Sequence, residues 1–177
     1  SIEKFLIARR LMYWQVYLHK TVISAEHMLI KVLQRAKELI SVGEEVYTTP
    51  SLAVFLNKNY TLSDFITTPK LLNDFAQLDD FDIYAALKYW ENNPDFVLSS
   101  LSDMILNRKL LKIKVQNTEF HPSEIEAEVS RIQAEFKISK QEAAYFVFSD
   151  KVSNSTYNIE KANINILMKN GDVIDIT

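Results

Sequence analysis

The densest run of side chains able to bind a ligand is Arg9-Arg10-Leu11-Met12-Tyr13-Trp14-Gln15-Val16-Tyr17-Leu18-His19-Lys20. Arg9, Tyr13 and Tyr17 are spaced by four, so on a helix they share one face. A guanidinium can grip phosphate through two parallel N–H bonds. A tyrosine ring can stack on a sugar or base and donate through its hydroxyl. Together the three suit an anionic nucleotide. The same spacing also fits a surface cation beside two core tyrosines. A second basic cluster, Asn107-Arg108-Lys109-Leu110-Leu111-Lys112-Ile113-Lys114, falls where a helix gives way to an alternating segment. Lys112 and Lys114 would share one strand face. They would either hold phosphate or guard an exposed strand edge.

Other chemistries find little support. The histidines His19, His27 and His121 form no HExxH and no His-Asp pair. His19 and His27 lie about two helical turns apart, too far to share one ion unaided. With no cysteine, thiolate metal sites, disulfides and cysteine nucleophiles are excluded. No serine stands in a G-x-S-x-G elbow. The two glycines, Gly43 and Gly171, make no phosphate-cradling loop. Asp79, Asp80 and Asp82 could imitate a carboxylate cluster for a cation. Acids favoured in the first turn of a helix explain them more simply.

The elements that must position these residues are mainly helical at first. Apolar residues from Phe5 to Leu39 recur at spacings of three, four and seven, with no Gly or Pro before Gly43. This predicts one long helix, or two in line with a joint near Leu18 to Thr21. Thr48-Thr49-Pro50 marks a turn. Thr61 and Thr67-Thr68-Pro69 start short helices, Asp79 to Trp90 forms another, and Asp95 to Leu106 the next. His121-Pro122-Ser123 introduces a helix, and Ser139 to Glu142 fits a capping box. Leu111 to Val115, Tyr145 to Phe148, Asn163 to Met168 and Asp172 to Ile176 read as strands. Asn170-Gly171 signals a hairpin between the last two. The expected fold class is α+β: a mainly helical first half with a long N-terminal helix, and a small α+β C-terminal part with antiparallel strands. The expected boundary separates residues 1–110 from 111–177.

The 177 residues carry 20 basic and 23 acidic side chains, and 47% are hydrophobic. That is the composition of an ordinary globular domain. The net charge of -3 gives no global attraction to nucleic acid, so no specific DNA binding is expected. No apolar run approaches the ~18 residues of a membrane span. The absence of cysteine is compatible with a cytoplasmic setting. Because Ser1 leads straight into a helical pattern, the chain reads as a C-terminal part of something longer.

Two segments shift the balance. Arg9-x7-Tyr17-Leu18-His19-Lys20 resembles the R-x7-Y-x-H-K motif of HD-domain deoxynucleoside triphosphate triphosphohydrolases. Leu78-Asp79-Asp80, followed by Ile105-Leu106-Asn107-Arg108-Lys109-Leu110-Leu111-Lys112, resembles their downstream region, where R-x-L-F-K is typical. Leu111 departs from the usual Phe, and Tyr13 from a frequent His. The resemblance implies a metal-dependent hydrolase that splits dNTPs into deoxynucleoside and triphosphate. It implies that Arg9 contacts substrate phosphates, that Tyr17 packs against the deoxyribose with Tyr13 beside it, and that His19, Lys20, Arg108 and Lys112 line a second, allosteric nucleotide site. The divalent-metal ligands, an H…HD…D pattern, would lie in an upstream HD domain, so no catalytic residue is assigned here. The expected partners are that domain, nucleotide and further copies in a homo-oligomer. Two other readings compete: a non-enzymatic protein-interaction module, and a nucleotide-sensing domain without hydrolysis.

Overall fold

The computed structural model describes residues 2–151 and 165–175. Helix α1 (Ile2–Met12) runs into a π-helical turn, Tyr13–Tyr17, closed by a bond from Leu18 N–H to the Tyr13 carbonyl at 2.8 Å. The chain then breaks at His19, whose backbone is extended (φ -67°, ψ 136°), and restarts as α2 (Lys20–Ser41). His19 closes the new helix end itself, its Nδ1 accepting the Thr21 N–H at 3.3 Å. At the far end Gly43 turns left-handed (φ +89°). Bonds from Gly43 to Ile40 and from Glu44 to Leu39 take up two terminal carbonyls.

α2 is the axis of the core. Its Met28, Val32, Ala36 and Leu39, spaced by four, four and three, are buried on one face. Against them pack Leu52 and Leu56 of α3 (Pro50–Asn57), Ala86, Leu87 and Trp90 of α6 (Asp80–Trp90), and Val97, Leu98 and Leu101 of α7 (Phe96–Leu106). The Trp90 indole is fully buried, and its N–H donates to the Tyr47 carbonyl at 2.8 Å. Between α3 and α6 lie two short helices, α4 (Leu62–Thr67) and α5 (Pro69–Gln77). Thr61 and Asp64 cap α4 reciprocally, and Asp79 and Asp82 do the same for α6. Asp79 and Asp82 are thus spent on backbone amides.

The C-terminal part departs from the sequence reading. Leu111 to Val115 joins no ladder among the described residues: the Leu111 N–H and C=O are taken by side chains of α2. Tyr145 to Phe148 is no strand either. Its amides fold back on Glu142 and Ala143, prolonging α9 (Lys140–Ala143) as turns. The aromatic alternation there serves packing instead. Phe146 meets Phe96 and Phe136, with ring centroids 6.0 and 6.4 Å away. Helix α8 (Pro122–Phe136) is capped by His121 and ends at Lys137, which is left-handed (φ 56°). Sheet among the described residues amounts to one short antiparallel ladder, β1 (Asn165–Leu167) on β2 (Val173–Asp175), joined through Gly171 at φ +89°. The expected strand ends at residues 163, 164 and 176 lie outside the described residues. The described residues are therefore mostly helical, with less sheet in the C-terminal part than the sequence reading expects.

Candidate functional site

Helix α1 buries none of its residues, although seven of its eleven are apolar. Ile2 is 79% exposed and Phe5 64%. Along this bare helix and the π-helical turn that follows it, Arg9, Tyr13 and Tyr17 form one strip. The Arg9 guanidinium stands 5.9 Å from the centre of the Tyr13 ring, close enough for a cation–π contact. The Tyr13 and Tyr17 rings lie 5.1 Å apart and tilted by 39°. Phe5, Ala8, Arg9, Met12 and Tyr13 line a shallow groove along the strip. The π-helical turn falls on the tyrosines themselves. Its wider winding changes the angular offset between positions 13 and 17 relative to an α-helix, and such turns recur at functional sites. Arg9 has no carboxylate partner among the described residues, which leaves its fork of donors free for an anion.

The second set of nominated residues is placed less uniformly. His19 spends its Nδ1 on the cap of α2, leaving Nε2 as its free ring nitrogen. Lys20 is the first, exposed residue of α2. Arg108 lies just past α7 in a left-handed conformation (φ 55°), where a non-glycine side chain is costly. Lys112 is exposed on a segment whose neighbour Leu111 is bonded to α2. Among the described residues no cluster of His, Asp or Glu side chains could hold a metal ion.

A polar network that periodicity did not reveal binds α2 to the C-terminal part. Arg35 holds Asp95 through two bonds, Nε to Oδ1 at 3.1 Å and Nη2 to Oδ2 at 2.6 Å, and reaches Glu38 at 2.6 Å. The Tyr145 hydroxyl donates to Glu38 at 2.8 Å. Lys31 lies 5.0 Å from the centre of the Phe148 ring, and His27 stands 3.8 Å from Asp150. His27, Lys31, Arg35 and Glu38 are thus one stripe of α2, clasping the segment from Tyr145 to Asp150. Burial pushes the Asp95 carboxyl upward, but the bonds from Arg35 and the Leu98 amide outweigh it and leave it below the usual carboxylate range. Glu38 is also lowered, chiefly by the Tyr145 hydroxyl. Tyr145 is pushed up to about 12 by burial and by its bond to Glu38. The spacing of His27, Lys31, Arg35 and Glu38 marks one polar face of α2 but not what that face meets. No spacing rule links position 35 to 95.

No family model matches the chain. Its sequence is 29% identical over 184 residues to the uncharacterized protein YwfO of Bacillus subtilis (strain 168), an alignment covering all of this chain and 40% of that protein. The fold superposes on a crystallised phosphohydrolase from Bacteroides thetaiotaomicron VPI-5482 with a TM-score of 0.87 and 43% identity. That match covers 99% of this chain and 44% of the other. The chain therefore has the fold of one part of a phosphohydrolase and spans about two fifths of the lengths of these two relatives. Among the described residues no helix is long and apolar enough to cross a membrane.

Proposed function

We propose that this chain is the substrate-lining and oligomerising part of a metal-dependent HD-family phosphohydrolase acting on (deoxy)nucleoside triphosphates or related phosphoesters. The observation that carries the reading is the 43% identity to a phosphohydrolase along 99% of this chain. The Arg9–Tyr13–Tyr17 strip, exposed at Arg9 and Tyr17 and half-buried at Tyr13, supports it. Arg9 takes substrate phosphate oxygens, Tyr17 packs on the sugar, and Tyr13 orients Arg9 from beneath. The metal ligands and the water-activating groups belong to an upstream HD domain, which covers the bare face of α1. Such a substrate fits a cytoplasmic setting. His19, Lys20, Arg108 and Lys112 serve a second, regulatory nucleotide. The left-handed backbone at Arg108 supports that role, because glycine would satisfy the turn at lower cost.

The test is release of triphosphate from dNTPs, with Mg2+ or Mn2+ present, by the full natural polypeptide that carries this sequence. Arg9→Ala should lower kcat/KM by about 100-fold, the ~2.7 kcal/mol of a lost charge-assisted pair of bonds. Unchanged kinetics in Arg9→Ala would remove Arg9 from the substrate. No hydrolysis of any dNTP by the intact polypeptide would remove the activity itself.

The solvent-facing aromatics of α6 favour a second reading, a protein-interaction module: Phe81 is 82% exposed, with Tyr84 and Tyr89 also exposed on the helix. Under that reading Arg9→Ala and Arg108→Ala leave capture of the partner unchanged, and dNTPs bind nowhere. A nucleotide sensor without hydrolysis would instead bind dNTP in the absence of turnover and lose it in Arg108→Ala.

A further inference from the structure

Serines inside helices ordinarily return their hydroxyl to the carbonyl four residues back. Ser99, Ser102 and Ser130 do this, bonding Asp95, Leu98 and Glu126 at 2.7, 2.7 and 2.8 Å. Ser24 does not. It is 4% exposed on the buried face of α2, yet its hydroxyl donates to the Leu111 carbonyl at 2.8 Å, across 87 positions of sequence. One turn on, the Met28 sulfur accepts the Leu111 N–H at 3.2 Å. Both backbone groups of Leu111 are therefore held by α2, and Leu110 and Leu111 pack their side chains on the core.

The consequence falls on the charges around Leu111. Its amide end faces Met28 and its carbonyl end faces Ser24, so the chain leaves toward the N-terminal end of α2, where Lys20 stands. Of the four cations on the segment, Lys109 is paired with Asp103 at 3.2 Å, and Lys114 approaches Glu124 at 4.0 Å. Arg108 and Lys112 have no carboxylate partner among the described residues. Leu111 is pinned between these two.

We infer that Ser24 is a positioning residue: by fixing the Leu111 backbone it sets where Arg108, before it, and Lys112, beyond it toward the start of α2, stand for an anionic nucleotide. This rests on the second-nucleotide reading given above. Ser24 touches no ligand and acts through the chain it anchors. The Ser24 hydroxyl also lies 3.8 Å from the Met28 sulfur of its own helix, but its short bond leaves α2, whereas that of Ser102 stays within α7.

The comparison of Ser24→Ala with Ser102→Ala tests it, because both serines are buried and only one bond leaves its helix. In this chain, hydrogen exchange at residues 109–114 should quicken at least tenfold in Ser24→Ala and stay unchanged in Ser102→Ala. Affinity for dGTP, measured by calorimetry with the chain in its folded state, should fall about five- to tenfold in Ser24→Ala and not in Ser102→Ala. Unaltered exchange in Ser24→Ala overturns the anchoring. Quickened exchange with unaltered dGTP affinity, or equal losses in both variants, overturns the positioning role. If the unsubstituted chain binds no dGTP, the second-site reading fails and the positioning role falls with it, while exchange still shows whether the anchor exists.

Discussion

Helices α1 and α2 are consecutive, and α1 is the richer in apolar residues: seven of eleven against eleven of twenty-two. Yet α2 buries Ser24, Met28, Val32, Ala36 and Leu39, and α1 buries nothing. The difference lies in arrangement. Apolar side chains on α2 gather on one stripe opposite Glu26, Gln34 and Glu38, which gives them a single direction in which to leave water. On α1 they fall around the helix, with Ile7 and Leu11 on the side away from Phe5 and Arg9. A helix apolar on two sides needs cover on two sides, and among the described residues α1 meets little beyond its junction with α2. The contrast separates residues that hold the fold from residues that it leaves in water.

Core truncation should break that comparison most visibly. Leu98→Ala in the fully buried seam of α7 should cost about 3–5 kcal/mol, read from urea unfolding of this chain. Leu11→Ala, on a side chain 50% exposed, should stay within about 0.5 kcal/mol. Equal losses would mean that α1 is packed in solution and that its bare face belongs to this chain's own core.

The clasp between α2 and α7 comes next. Asp95 is partly buried, hydrogen-bonded to Arg35 and to the Leu98 amide, and its carboxyl is held below the ordinary range. A lowered folded-state value means that its contribution is fully present above the unfolded value of about 3.9 and is lost as pH falls through the folded one. Asp95→Asn should cost about 2 kcal/mol at neutral pH. It should also flatten the decline of stability below about pH 4, measured as unfolding midpoints across an acid series. A parallel decline in both proteins would place the acid sensitivity elsewhere, with Glu38 the next group to remove.

These contacts show what a single sequence reveals and what it does not. The 3.6-residue period gave α2 and its buried stripe, and the Thr61, Asp79, His121 and Ser139 caps marked helix starts, because both signals are local. The break between α1 and α2 was legible as a zone around residues 18–21, but the π-helical turn before it was not. The strands expected at 111–115 and 145–148 do not form, for one shared reason. Alternation records which side chains face the core, and an extended segment or a turn docked on a helix satisfies it as well as a ladder does. Arg9, Tyr13 and Tyr17 could be grouped by spacing. The Ser24–Leu111 bond and the Arg35–Asp95 pair could not, since they join positions 87 and 60 apart.

Arg108 sharpens the comparison at its smallest scale, because the fold and the proposed nucleotide there ask for different residues. Its backbone is left-handed at φ 55° and its side chain is exposed, so stability alone favours glycine. Relief of about 1 kcal/mol of backbone strain is partly offset by the greater freedom of glycine in the unfolded chain. Arg108→Gly should therefore raise stability by roughly 0.5 kcal/mol in urea unfolding while weakening dGTP binding by about tenfold. A loss of stability would show that the guanidinium packs against the protein. A gain with dGTP affinity intact would leave the strained arginine without a ligand to account for it. Opposite changes in the two measurements are the signature of a residue kept for what it binds and not for what it folds.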